Sequence, residues 1–387
     1  MNNPFYFDSI VLTQSHGSNP LILKIDNFFF LRLGIFPISN SNLISHAFAN
    51  HMGKGMTLFS SFNKSLEFEN YEIKSKKLLN LVDQQIKKAN LQSVALLFSG
   101  GKDSSLLAQL LVNHGVKVHA YYVLREREEI PGRGKTRYEK LATLHKICEK
   151  IQISSLTTVS GGVSPSNLLQ AYGNKINISP AAAGLANLFL NTDISKHKFL
   201  CFAQGADTLS NAVHTQAKYY QNVNQVSYLE LKDLFSNMFT STFQRKYRFI
   251  GKKIIQDILE LLSDSLHSLE GEEIQNISRL VGMHLVHTPL DSKFVYDIAK
   301  LNNMDIFNPF HTLEVEELYF QKVHQKIDNS YAQKIEIDYL LNYFSLQGLP
   351  FEKSGFKAEF YSEKGFPVSY YEYTKRILEL LPDSNFK

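Results

Sequence analysis

Leu96-Leu97-Phe98-Ser99-Gly100-Gly101-Lys102-Asp103-Ser104-Ser105-Leu106-Leu107 carries an apolar strand into a short polar loop and straight on into a leucine-striped helix. Gly100 and Gly101 have no Cβ, so the chain can turn sharply and bring its N–H groups close to a ligand. Ser99, Ser104 and Ser105 add hydroxyls, and the first turn of the helix starting at Lys102 aims N–H groups without intrahelical partners at the same point. These features together predict an anion cradle. Asp103 would repel a bare phosphate, so a carboxylate inside the cradle implies a bridging cation, magnesium with several waters retained. The spacing is not the Gly-x-x-x-x-Gly-Lys-Ser/Thr of the mononucleotide loop. A Gly-Gly turn with an aspartate N-cap would explain the same residues without a ligand, but the strand before and the helix after favour the cradle.

Outward from the loop, strand and helix patterns alternate. A helix over about 75–89 precedes the strand Val94–Phe98, and Lys102–Asn113 is a helix with Leu106, Leu107, Leu110 and Leu111 facing inward. Val116–Val123 reads as a strand, Tyr138–Ile151 as a helix, Ser154–Val159 as a strand, Ala181–Leu190 as a helix and Lys198–Ala203 as a strand. Strands separated by helices of this length predict an α/β fold, a doubly wound parallel sheet with ligands at the strand C-termini. Before it, the runs Ser9–Thr13, Leu21–Ile25 and Phe28–Leu33 predict a small β-rich unit over 1–78. The remainder, 79–387, reads as one further unit whose portion 227–387 is mostly helical, with helical periodicity over 313–325, 332–344 and 369–380 among others.

Composition narrows the class. With 44% hydrophobic and 20% charged residues over 387 positions, the chain is an ordinary globular protein long enough for more than one domain. A net charge of +4 gives little reason to expect a nucleic-acid partner. Arg32 interrupts the apolar run around it, and no stretch of about 18 apolar residues predicts a membrane span. Met1–Phe5 lacks a basic n-region, and the two cysteines, Cys148 and Cys201, fall on apolar positions with no Cys-x-x-Cys, so the expectation is a cytoplasmic protein with buried thiols.

A second polar turn, Phe202-Ala203-Gln204-Gly205-Ala206-Asp207-Thr208, ends another apolar strand. Gly205 permits a tight turn there. In a parallel sheet this turn reaches the same edge as the first loop, so Asp103 and Asp207 could hold one magnesium ion between them.

The first loop resembles the pyrophosphate-binding loop of the ATP pyrophosphatases, Ser-Gly-Gly-x-Asp-Ser. Four elements in order make the resemblance more specific: Ser99–Ser104, Gln204–Thr208, Asn308-Pro309-Phe310-His311-Thr312, and Lys353-Ser354-Gly355-Phe356. They are similar to the synthetase half of asparagine synthetase and its relatives, the β-lactam synthetases and lasso-peptide cyclases, over about residues 75–380. The resemblance implies an adenine nucleotide α-hydrolase-like fold that uses ATP and Mg²⁺. It implies ATP phosphates on Ser99, Gly100, Gly101, Lys102, Asp103, Ser104 and Ser105, with Gln204 and Gly205 nearby and Mg²⁺ on Asp103 and Asp207. It gives Lys353 the task of neutralising pyrophosphate and a developing oxyanion. The reaction implied is adenylation of a small-molecule or peptide carboxylate, followed by attack of ammonia or a substrate amine to form an amide.

Departures from the family accompany the matches. Gln204 and Thr208 stand where the family has glutamates, and neither can take a proton from an amine at neutral pH. His311 and Thr312 replace the family's acid. Asn2 stands where the glutaminase half would begin with its cysteine, so glutamine is not expected as the amine source. Two other readings stay open: a pyrophosphatase acting on tRNA or sulfur, and a non-catalytic nucleotide-binding protein. The basic stretch Arg125–Arg137 could lid a nucleotide or be a solvated loop. Gln244–Lys253, with Tyr247 and Phe249 between its cations, reads as a wet helix face rather than a nucleic-acid contact, and His284 with His287 lacks a third metal ligand.

Overall fold

The computed structural model describes residues 28–31, 34–37, 66–124, 137–172, 182–203, 206, 260, 293–310, 312–319, 321–325, 335–351, 360–368 and 370–380. Its centre is a five-stranded, all-parallel sheet: β1 (Ser93–Leu97), β2 (Lys117–Leu124), β3 (Ser155–Ser160), β4 (Phe199–Cys201) and β5 (Asp305–Phe307). The spatial order is β3-β2-β1-β4-β5. β1 is the middle strand, and Val94, Ala95, Leu96 and Leu97 are all buried, as a strand covered on both faces requires. β3 lies at the edge and is the most polar, Ser-Leu-Thr-Thr-Val-Ser, with no fully buried residue.

Helices α1 (Tyr71–Ala89), α2 (Lys102–Asn113), α3 (Arg137–Ile151), α4 (Pro165–Tyr172), α5 (Ala182–Asn191), α6 (Lys293–Leu301), α7 (Leu313–Tyr319), α8 (Ile335–Tyr343) and α9 (Tyr370–Leu380) complete the described elements longer than one turn. Asn70 caps α1, its Oδ1 accepting the Ile73 N–H at 3.0 Å, and Leu78, Val82 and Ile86 form the buried stripe of that helix at four-residue spacing. They meet Leu106, Leu107, Leu110 and Leu111 of α2, Leu144 and Ile147 of α3, and Ile337, Leu340 and Leu341 of α8 in one core on one face of the sheet. The inward faces expected for α2 are those observed, and the two cysteines are buried free thiols. On the opposite face α5 packs against β2 and β3.

The doubly wound parallel fold therefore stands. The expected strands and helices of 93–201 shift by a residue or two at their ends, and α4 joins them. Differences gather in the C-terminal portion, expected to be mostly helical, where β5 completes the sheet. Asp305-Ile306-Phe307 is three residues long and begins with a charge, so it has no readable alternation. Its strand state comes from pairing with β4, Leu200 opposite Ile306. Two further short pairs lie in described residues of this portion: Lys322–Val323 runs parallel to Glu67–Phe68, and Phe360–Tyr361 antiparallel to Pro367–Val368. Near the N-terminus, Phe28–Leu31 pairs antiparallel with Gly34–Pro37, while the runs expected at Ser9–Thr13 and Leu21–Ile25 lie outside the described residues. Among the described residues no helix is long and apolar enough to cross a membrane.

Candidate active site

β1 and β4 are neighbours, yet the chain leaves them in opposite directions: from β1 it goes to β2 on one side, from β4 to β5 on the other. Parallel strands that part in this way leave a crevice beyond their C-terminal ends. The Ser99–Ser104 loop follows β1 immediately, and Phe202 and Ala203 follow β4, with Ala95 opposite Leu200 and Leu96 opposite Cys201 setting the register. The loop stands at the switch point of the sheet.

Its conformation comes from a few local bonds. Phe98 N–H donates to the Tyr121 carbonyl at 3.0 Å, carrying the β1–β2 ladder to the residue before the loop. Gly100 then takes φ +69°, and a Cβ there would sit 2.5 Å from Leu144 Cδ2 of α3, so the position requires glycine both for its dihedral and for its contact. Ser99 Oγ accepts the Gly101 N–H at 3.2 Å and lies 3.0 Å from Ser104 Oγ, which in turn donates to the Gly101 carbonyl at 3.2 Å. Gly101 is the N-cap of α2 and, without a side chain, offers no capping bond to the first-turn N–H groups. Those groups and the positive end of the helix dipole therefore suit an external anion.

Ser99, Gly101, Lys102 and Asp103 are partly exposed. Asp103 presents a hard carboxylate in the first turn of α2, the donor chemistry that magnesium takes alongside phosphate oxygens and water. Among the described residues no three His, Cys, Asp or Glu side chains come together to hold a metal unaided. Ser105 is fully buried, and its N–H donates to the Gly101 carbonyl at 3.1 Å as part of the helix. Lys102 extends its ammonium to Asp338 Oδ1 of α8, 2.5 Å away.

β5 adds the third element to the same sheet edge. Phe202 N–H donates to the Phe307 carbonyl at 3.4 Å, and Asn308-Pro309-Phe310 turns directly after it, Asn308 Oδ1 accepting the Phe310 N–H at 3.2 Å. Phe310 is wholly buried, and Thr312 Oγ1 accepts a bond from Gln85 Nε2 of α1 at 2.8 Å. Gln85 and Asp338 had no signal in the sequence, because each lies more than two hundred residues from its partner. Gln204, Gly205, Asp207, Thr208, His311 and Lys353 lie outside the described residues, as do 125–136, 244–253, His284 and His287. Burial alone pushes the Cys148 thiol up to about 12 and Cys201 well above the ordinary range, so neither is a ready thiolate.

No known protein family's sequence profile matches the chain, and no curated protein matches it. Among solved structures, the NMN synthetase of Francisella tularensis is similar over 60% of this chain and 93% of that one, with 12% identity and a TM-score of 0.25. A likeness at that level assigns neither substrate nor activity.

Proposed function

We propose that this chain is an ATP-dependent, AMP- and pyrophosphate-forming ligase that adenylates a carboxylate for amide-bond formation. The observation that carries the reading is the Ser-Gly-Gly-Lys-Asp-Ser loop, with its first glycine at positive φ, at the switch point of a parallel sheet. In this reading a substrate carboxylate oxygen displaces pyrophosphate from the α-phosphorus of ATP, giving an acyl-adenylate and pyrophosphate. A substrate amine or ammonia then attacks the acyl carbon, and AMP leaves with the electron pair of the broken C–O bond.

The chain's own residues have separate tasks. First-turn N–H groups of α2 and the Ser99 hydroxyl hold phosphate oxygens, and Asp103, with Asp207 from the second turn, holds magnesium. When bound, magnesium neutralises charge that would otherwise oppose pyrophosphate departure. Lys353 carries a compact ammonium suited to pyrophosphate and to the oxyanion that grows during amine attack. Gln204 cannot act as base, so the amine proton leaves through water, the substrate or another residue. A sulfur-transfer reading draws no support from Cys148 or Cys201, whose buried thiols stay protonated.

The test is pyrophosphate release from ATP over a panel of amino-acid, peptide and aliphatic carboxylates. The reading expects release with at least one acid and background rates in Asp103→Ala, whose melting temperature stays near that of the parent. No release with any acid, alongside tight ATP binding, would favour the non-catalytic reading. Normal turnover by Asp103→Ala would reduce the loop to a turn.

A further inference from the structure

Lys102 is the only cation within Ser99–Ser105, and it occupies the first position of α2. An ammonium there meets the positive end of the helix dipole, which is unfavourable until an anion arrives. In the structure that anion is Asp338, whose Oδ1 lies 2.5 Å from Lys102 Nζ. Asp338 sits in the first turn of α8, where a carboxylate is favoured, so the pair joins two helix N-termini across one ion contact. Neither end is free to drift: α8 packs on both α1 and α2, with Ile337, Leu340 and Leu341 in the same core as Leu107, Leu110 and Leu111. The two side chains remain 43% and 37% exposed, open enough for a phosphate to compete for the ammonium.

We propose that Asp338 is a positioning residue that restrains Lys102 and so limits how tightly the loop holds pyrophosphate. This rests on the phosphate-loop reading above. With Asp338 present, an arriving phosphate must draw Lys102 from a carboxylate that also repels it. Without Asp338, the ammonium is available to the phosphate from the start. The device suits a loop that must let its product go, since pyrophosphate carries more charge than the β,γ-phosphates did while still esterified in ATP.

The experiment is calorimetric binding of inorganic pyrophosphate, in the presence of magnesium, to the full chain and four variants. Asp338→Asn is expected to tighten binding about three- to fivefold, the scale of a partly exposed ion pair. Lys102→Met should weaken it by a similar factor. In the Lys102→Met background, Asp338→Asn should change binding less than about twofold, because the restraint has nothing left to act on. Asp338→Glu should stay within about twofold of the parent, and circular dichroism should show all variants folded. Unchanged or weaker binding by Asp338→Asn overturns the restraint, and so does an equal gain in both backgrounds, which would mean general repulsion. A parent chain that does not bind pyrophosphate overturns the loop reading itself, whereas binding indifferent to Asp338 overturns the restraint alone.

Discussion

Two loops of this chain begin alike and end differently. Beyond β1 the chain reads Ser99-Gly100-Gly101, β3 ends on Ser160 and continues as Gly161-Gly162, and each leads to a helix. The first glycine of each takes the same left-handed turn, φ +69° at Gly100 and +70° at Gly161. The surroundings then diverge. The loop after β1 stands at the switch point, with Lys102 and Asp103 partly exposed. The loop after β3 stands at the sheet edge and is covered by the chain itself. Tyr361 lies over Gly161, the Tyr373 hydroxyl donates to the Val163 carbonyl at 2.9 Å, and Asn187 Nδ2 donates to the Ser160 and Gly161 carbonyls. At the start of α4 the Ser166 N–H donates to Glu363 Oε1 at 3.0 Å, so a protein carboxylate holds the place an anion would take. A Ser-Gly-Gly turn is thus a way of leaving a parallel strand. It becomes a candidate site only where the sheet parts and the helix N-terminus is left for a ligand.

The largest effect that should separate the two loops is kinetic. Lys353→Ala is expected to lower kcat for amide formation by about two to three orders of magnitude while changing ATP affinity less, the signature of a group acting on a developing charge. Steady-state kinetics with the acid found in the pyrophosphate screen measures the split. A change confined to KM would mean Lys353 only binds.

Next come the glycines. Gly100→Ala should cost about 3 kcal/mol, combining the left-handed dihedral with a Cβ driven into Leu144. Gly161→Ala meets the same dihedral, but its Cβ would sit 3.1 Å from a Tyr361 ring atom, so about 1–2 kcal/mol is expected. Urea unfolding checks both. The comparison sharpens if the Gly161 variant, once folded, retains full pyrophosphate release, and it breaks if both variants lose activity alike.

Smaller still is Tyr373→Phe, which removes the buried bond to Val163 and should cost about 1 kcal/mol with no change in nucleotide binding. Loss of ATP binding here would mean the covered loop also serves the site.

The mildest effect sets the pH at which these comparisons are cleanest. On the face of the sheet under α5, the His119 and His197 rings lie 4.7 Å apart, and Tyr121 Oη lies 3.0 Å from His197 Nε2. Burial first, then Lys196 for His119, and His119 followed by Lys196 for His197, hold both imidazoles below their ordinary 6.5. The unfolded chain therefore takes up protons before the folded one does. Stability is complete above about pH 6.5 and declines as pH falls through the lower folded values. Melting temperature should fall between pH 7 and 5, and less so in His197→Gln. A flat profile would contradict imidazoles held neutral by the fold.

How much of this was legible in the sequence follows from what each element depends on. β1, α2 and β2 could be read because burial on both faces of a strand imposes a continuous apolar run and burial on one face of a helix imposes a period, and Val94–Leu97 and Leu106–Leu111 display them. The Ser99–Ser104 loop could be read because glycine and aspartate at fixed offsets have few other uses. β5 could not, since its strand state comes from β4. Nor could Asp338 or Gln85, whose roles exist only once α8 and β5 are docked. The burial of Ser105 was legible in principle, for it stands one residue before Leu106 and Leu107 on an amphipathic helix.

The measurement that tests the central claim most directly is the magnesium dependence of ATP binding, compared across the parent, Asp103→Ala and Glu363→Ala. If the switch-point loop is the nucleotide site, magnesium strengthens ATP binding in the parent and in Glu363→Ala. In Asp103→Ala, magnesium should make almost no difference. ATP binding whose magnesium dependence survives in Asp103→Ala, or is lost with Glu363, would place the nucleotide elsewhere and contradict the account.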